Sequence, residues 1–124
     1  MSARVTLQRL DVGLAIELVG SGKAAAKAAL REAVLGTPAG DGNARANWQV
    51  GRGSAPEGLL ADKDPDGLDS IAKGEAVIDA ADPGEALVIA NNLDTIAALN
   101  DGHPGAAPGG FAERALAAAR RVAG

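Results

Sequence analysis

Only two large aromatic side chains, Trp48 and Phe111, occur in the whole chain, and there is no tyrosine. Aromatic residues usually dominate the packing of a small core. Here Ala, Val, Leu and Ile must build it, with Trp48 and Phe111 as its only large pieces. The 124 residues suit one domain, residues 1–124, which buries about 65% of its unfolded surface without staples. With 47% hydrophobic and 23% charged residues, the composition is globular, neither disordered nor fibrous. Seventeen glycines imply many turns.

Several classes of chemistry fall away. There is no cysteine, hence no disulfide framework, thiolate zinc site or cysteine nucleophile. One histidine, His103, cannot make a two-histidine metal site. In a Gly/Pro-rich loop beside Asp101 it reads as a surface or interface residue rather than as a general base, which needs a nucleophile and an orienting acid. No apolar run reaches the roughly 18–20 residues of a membrane span. The N-terminus lacks the apolar stretch of a signal peptide, so the expectation is a chain made in the cytosol. No motif asks for a cofactor, and no catalytic residues are assigned.

Charge is unevenly spread. Residues 1–52 carry a net +3, residues 53–101 a net −9 and residues 102–124 a net +2, which gives −4 overall. That does not support a basic face for specific DNA binding. An acidic middle can repel nucleic acid, meet a basic partner or simply be a solvated loop.

The pattern predicts an α+β domain: a small antiparallel sheet packed by an N-terminal and a C-terminal helix, with a long acidic loop. Residues 1–22 read as an extended arm or short helix. Val5 and Leu7 alternate with polar residues, which permits a short strand or an extended arm, and Leu14 to Val19 could begin a helix. Lys23 to Leu35 is a predicted helix with Ala26, Leu30, Ala33 and Val34 on one stripe, and with Lys23, Lys27 and Arg31 on another. Gly36 is its expected cap, and Pro38 stops it. Ala46, Trp48 and Val50 alternate as a strand. Residues 51–74 read as a long loop, Glu75 to Asp79 and Glu85 to Ala90 as two strands, and Asp82-Pro83-Gly84 as a hairpin turn. Asp94 caps one or two helical turns. Phe111 to Ala123 is the last helix, its arginines near the negative end of the helix dipole.

Asp62-Lys63-Asp64-Pro65-Asp66-Gly67 matches the start of a calcium loop. The twelfth position, where a closing Glu belongs, is Lys73, and no helix clearly precedes the segment. A plain acidic loop and a cation site on Asp62, Asp64 and Asp66 both remain open. Gly20-Ser21-Gly22-Lys23 lacks the first glycine of a P-loop, where Glu17 stands, and its Ser/Thr, where Ala24 stands. Gly51-Arg52-Gly53 lacks the spacing for dinucleotide binding.

Two segments together resemble a known family. Thr37-Pro38-Ala39-Gly40-Asp41-Gly42-Asn43-Ala44-Arg45-Ala46-Asn47-Trp48 is similar to the TPVDTG-x-A-R-x-NW signature of small neck proteins of long-tailed bacteriophages. Ala90-Asn91-Asn92-Leu93, Leu99-Asn100-Asp101-Gly102 and Ala106-Ala107-Pro108-Gly109-Gly110 are similar to that family's second segment, which precedes a C-terminal helix. Asp94-Thr95 stands where the family has Pro-Tyr. The carried-over residues are Thr37, Pro38, Gly40, Gly42, Arg45, Asn47 and Trp48, then Asn91, Asn92, Leu99, Gly102, Pro108 and Gly110. In this reading Thr37-Pro38 ends the helix, Arg45 to Trp48 enters the sheet, and Trp48 anchors helix to sheet. Asn91-Asn92 satisfies backbone groups at a corner.

The resemblance implies a tail-completion or head–tail joining subunit of a phage, prophage or gene transfer agent. It would form a ring with itself, a hexamer by tail symmetry, between the head connector and the tail terminator or tail tube. DNA would pass through without specific binding, and no membrane is involved. Residues 51–74 would reach a neighbour, or their Asp62, Asp64, Asp66 and Asp69 would face the channel and repel phosphates. The chain would reside in the virion, and in the host cytoplasm during assembly. The rival expectations are a tail terminator or other minor tail protein and, from another class, a small cytosolic ligand- or cation-binding module.

Overall fold

A computed structural model describes residues 3–102 and 108–123. Strands β1 (Arg4–Leu10) and β2 (Gly13–Val19) make an antiparallel hairpin. Strand β1 realises the short-strand alternative that Val5 and Leu7 allow, whereas β2 corrects the expectation that Leu14 to Val19 begins a helix. Both faces of β2 are covered: Leu14, Ile16 and Leu18 join the main core, and Ala15 a second cluster on the opposite face. Apart from the half-buried Glu17, β2 is apolar on both faces, and such a short run does not distinguish strand from helix by periodicity.

Helix α1 (Lys23–Gly36) buries Ala25, Ala26, Ala29, Leu30, Ala33 and Val34, the predicted stripe and its neighbours. It runs one residue past Leu35. Thr37, not Gly36, is its cap, extended at φ −72° and ψ 133° while its N–H still bonds the Ala33 and Val34 carbonyls. A short α2 (Asn43–Ala46) follows, so Ala46 and Arg45 are helical and precede the sheet; β3 (Trp48–Arg52) begins at Trp48.

The largest departure is α3 (Leu68–Ala80). It replaces the end of the expected loop and the expected strand Glu75 to Asp79. Its buried positions are Ser70, Ile71, Gly74 and Ile78, a helical spacing in which a serine and a glycine hold two of the four places. A Cβ on Gly74 would lie 2.5 Å from Leu30 Cδ2 and 3.0 Å from Val50 Cγ2, so the bare glycine lets α3 sit close to α1 and β3. Asp82-Pro83-Gly84 therefore joins a helix to β4 (Leu87–Asn91) and is not a hairpin. Helix α4 (Ile96–Asp101) starts after Thr95 rather than Asp94, and α5 (Phe111–Ala123) is as predicted.

The four strands form one antiparallel sheet in the order β1-β2-β4-β3. Cross-strand rows such as Leu7-Ile16-Ile89-Val50 face the helices. Helices α5, α1 and α3 lie side by side on that face, α5 against β1 and α3 against β3. The fold is thus α+β, as its pattern predicts. Fully burying each Leu or Ile of the shared core contributes about 1.5–3 kcal/mol. The basic stripe of α1 is spent internally on α3: Lys27 Nζ lies 2.8 Å from Asp79 Oδ1 and Arg31 Nε 3.6 Å from Glu75 Oε2. The hydrogen bond with Asp79 raises the Lys27 pKa, and the same bond lowers that of Asp79.

Candidate functional site

The first resembling segment folds as a corner between α1 and β3. Thr37 Oγ1 donates to the Ala33 carbonyl at 2.7 Å and accepts from Trp48 Nε1 at 2.8 Å. The Arg45 guanidinium donates to the carbonyls of Leu35, Thr37 and Pro65, covering carbonyls at the end of α1 that lack helical partners. Gly42 takes φ 92°, and its carbonyl accepts the Asp64 N–H at 3.0 Å. A Cβ there would overlap the Asp64 and Pro65 backbone. Pro38 is half-buried, and Gly40 is exposed with open space around it.

Asparagines then fix the irregular stretch 53–67. Asn47 Nδ2 donates to Asn43 O and Leu60 O, while its Oδ1 accepts the Leu60 N–H at 2.9 Å. Asn43 Nδ2 donates to the carbonyls of Leu60 and Asp62. Asn92 Nδ2 donates to those of Pro56 and Gly58. Asn91 sits opposite Trp48 in the sheet and donates to Ala44 O at 3.0 Å. The two resembling segments, distant in sequence, therefore meet. Among the described residues, no buried side-chain nitrogen or oxygen lacks a partner.

The rest of the second segment holds α4 to α5. Leu99 packs on the core, Gly102 ends α4, and Gly110 N–H donates to Asn100 O at 2.7 Å. Asn100 Oδ1 accepts the Ala112 N–H, and its Nδ2 donates to Glu113. Pro108 is exposed. His103, Ala106 and Ala107 lie outside the described residues.

The acidic segment differs from both a calcium loop and an exposed loop. Asp64 is 8% exposed, and its Oδ2 accepts the Ser70 N–H at 2.7 Å and the Ser70 hydroxyl at 2.6 Å. Asp66 Oδ1 accepts the Leu68 N–H. Two of the three carboxylates thus serve the orphan N–H groups of the α3 N-terminus, where the dipole also favours negative charge. Burial pushes the Asp64 carboxyl up, but hydrogen bonding, chiefly from the Ser70 hydroxyl and N–H with smaller contributions from Asp66 and Asp69, outweighs it and holds it below its ordinary value. Asp62 lies 3.4 Å from Lys73 Nζ, and Asp69 is exposed on α3 itself. Among the described residues no group of three or more metal-ligating side chains converges.

Between β3, α3 and the loop lies a cleft of about 200 Å³, with Trp48, Val50, Leu60 and Val77 among its apolar walls and Asp62 and Lys73 among its polar lining. Ser70 and Val77 escape sequence reasoning because α3 reads there as loop and strand, Leu60 lies in the loop before it, and Lys73 enters the sequence reading only as a mismatch to the calcium loop. The Asp64–Ser70 spacing is the one available signal, once a helix is placed after Gly67. No helix among the described residues is long and apolar enough to cross a membrane. No family model, curated protein or solved structure matches the chain.

Proposed function

We propose that this chain is a structural subunit of a phage-type neck, a tail-completion protein that forms a ring between head connector and tail terminator or tail tube and enables head–tail joining. One observation carries the reading. The two segments that resemble the neck family, separated in sequence, come together at one corner through Asn91 and Ala44, opposite Trp48. A likeness spread over two unrelated surface loops would have no such reason to converge. The subunit acts by shape and surface, with no catalytic residue and no cofactor. DNA passes through the ring without specific binding. Its place is the virion neck, reached from the host cytoplasm.

The cleft beside β3 favours a second reading, a small ligand-binding module. Its apolar walls stand beside polar and charged side chains such as Gln49, Asp62 and Lys73, which can orient a bound ligand.

Electron microscopy of particles lacking the gene product tests both. Separate filled heads and tails of normal length support completion or joining. Overlong tails make the chain a terminator instead. Normal joined particles overturn the neck reading and leave the ligand module.

A further inference from the structure

The two lateral edges of the subunit carry opposite charge. One edge is β1 with α5 packed against it. Over residues 4–10 and 111–123 it holds five arginines and one acid, Glu113. The other edge is β3, the loop after it and α3. Over residues 48–80 it holds seven carboxylates and three basic side chains. These edges lie at opposite ends of the strand order β1-β2-β4-β3. Part of the charge is used inside the subunit, by pairs such as Arg9–Asp101 and Lys73–Asp62. Arg4, Arg120 and Arg121 on one side, and Glu57, Asp66 and Asp69 on the other, have no ion-pair partner among the described residues.

We infer that the partner of each edge is the opposite edge of a second copy of this chain, so that subunits associate head to tail. Complementary fields steer such an encounter and set its register. A two-fold pair would set like edge against like edge and meet repulsion, whereas a head-to-tail contact is heterologous and closes into a ring when its rotation permits. Strand direction fits the same arrangement. Every neighbouring pair in the sheet is antiparallel, so across four strands β1 and β3 run in opposite directions. Rotation about an axis along the strands therefore brings the next copy's β1 to this β3 in the antiparallel sense. The contact is made by side chains more than by a continued ladder, because Arg120 already donates to the Val5 carbonyl on β1 at 2.9 Å. A basic plug of this kind blunts an edge against indiscriminate pairing. The acidic loop thus lies between subunits rather than facing a channel. The inference deepens the ring reading and rests on it for closure.

The test uses the full chain and two exposed-residue variants, R4E/R121E and E57K/D69K. Association is read by sedimentation over a concentration series, from about 0.02 to about 0.5 M salt. The wild type is expected to associate more tightly at low salt. In each variant alone the reversed pair outnumbers the third unpaired charge of its edge, so the unpaired charges named above have one net sign on both edges, and the variant loses about tenfold or more in apparent affinity. An equimolar mixture of the two restores association, because the two reversed edges fit each other and so do the two unchanged ones. Misfolding cannot produce that rescue. A monomeric wild type, or a mixture no better than either variant, overturns the inference. Wild-type rings indifferent to both variants overturn it while leaving the ring reading intact, and the particle experiment judges the neck role separately.

Discussion

The indole N–H of Trp48 donates to the Thr37 hydroxyl at 2.8 Å, and that hydroxyl donates to the Ala33 carbonyl at 2.7 Å. All three residues are buried. The hydroxyl is acceptor and donor at once, and it ties the end of α1 to the start of β3. Phe111 meets the same indole edge-on, with centroids 6.3 Å apart and planes at 89°, an arrangement the ring quadrupoles favour. The chain's two aromatics thus join the sheet to both α1 and α5.

Thr37→Val keeps the shape of the side chain but strands the buried indole N–H, at a cost of about 1–3 kcal/mol. Trp48→Phe removes the donor and costs at least as much, because it also leaves a gap. Urea unfolding of both single variants and the double variant should give a coupling of about 0.5–3 kcal/mol. Strictly additive costs would show that the two residues are not energetically linked.

Gly42 and Gly40 both have positive φ, 92° and 46°, but only Gly42 is pressed against another segment, the Asp64–Pro65 backbone. Gly40→Ala should cost about 1–2 kcal/mol, the penalty of a left-handed residue. Gly42→Ala adds an overlap with backbone that cannot rotate away, and should cost more than about 3 kcal/mol or prevent folding. Equal melting temperatures for the two variants would contradict the close approach.

These two corners were legible in unequal measure. Helices α1 and α5 are readable because their buried faces are written mostly in Ala at helical spacing, with Leu30 and Val34 on α1 and Phe111 on α5. Trp48 as the link from helix to sheet is readable because no other large side chain precedes Phe111. Helix α3 is not, because Ser70 and Gly74 occupy inward positions where a hydrophobic pattern expects apolar residues. Its cap is hidden too: Asp64 reaches Ser70 across a turn, while the same acids imitate a calcium motif. Strand β2 is ambiguous because burial on both faces removes the alternation that marks a strand. The cleft arises only when α3 and β3 are brought together, and the basic edge only when α5 lies against β1, so the acidic run is all that the sequence announces of them.

Asn47 is fully buried and bonds Leu60 through both its amide groups. Asn47→Asp replaces the amide donor by an oxygen facing the carbonyls of Asn43 and Leu60. The cost should be about 3 kcal/mol or more, since buried donors and charges are lost and mismatched together. Hydrogen exchange at the Leu60 amide should quicken, and limited proteolysis should cut within residues 53–63. A loop still protected in the variant would mean that Asn43, Gln49 and Asn92 hold it without Asn47.

Asp64 makes stability depend on pH. Burial opposes its ionisation, but the Ser70 hydroxyl and N–H favour the carboxylate, and the net effect places its pKa below the ordinary 3.8. A carboxyl depressed in the folded state contributes stability that is complete above its unfolded pKa and disappears as pH falls through the folded one. Asp64→Asn should therefore be less stable than the wild type by a constant margin from about pH 5 to 8, and the margin should shrink below about pH 4. Ser70→Ala removes one of the two bonds and should move the carboxyl back toward its ordinary value, an NMR titration being the direct readout. A margin between wild type and Asp64→Asn that stays the same at pH 3 and pH 7 would show that the carboxylate's charge does not stabilise the start of α3.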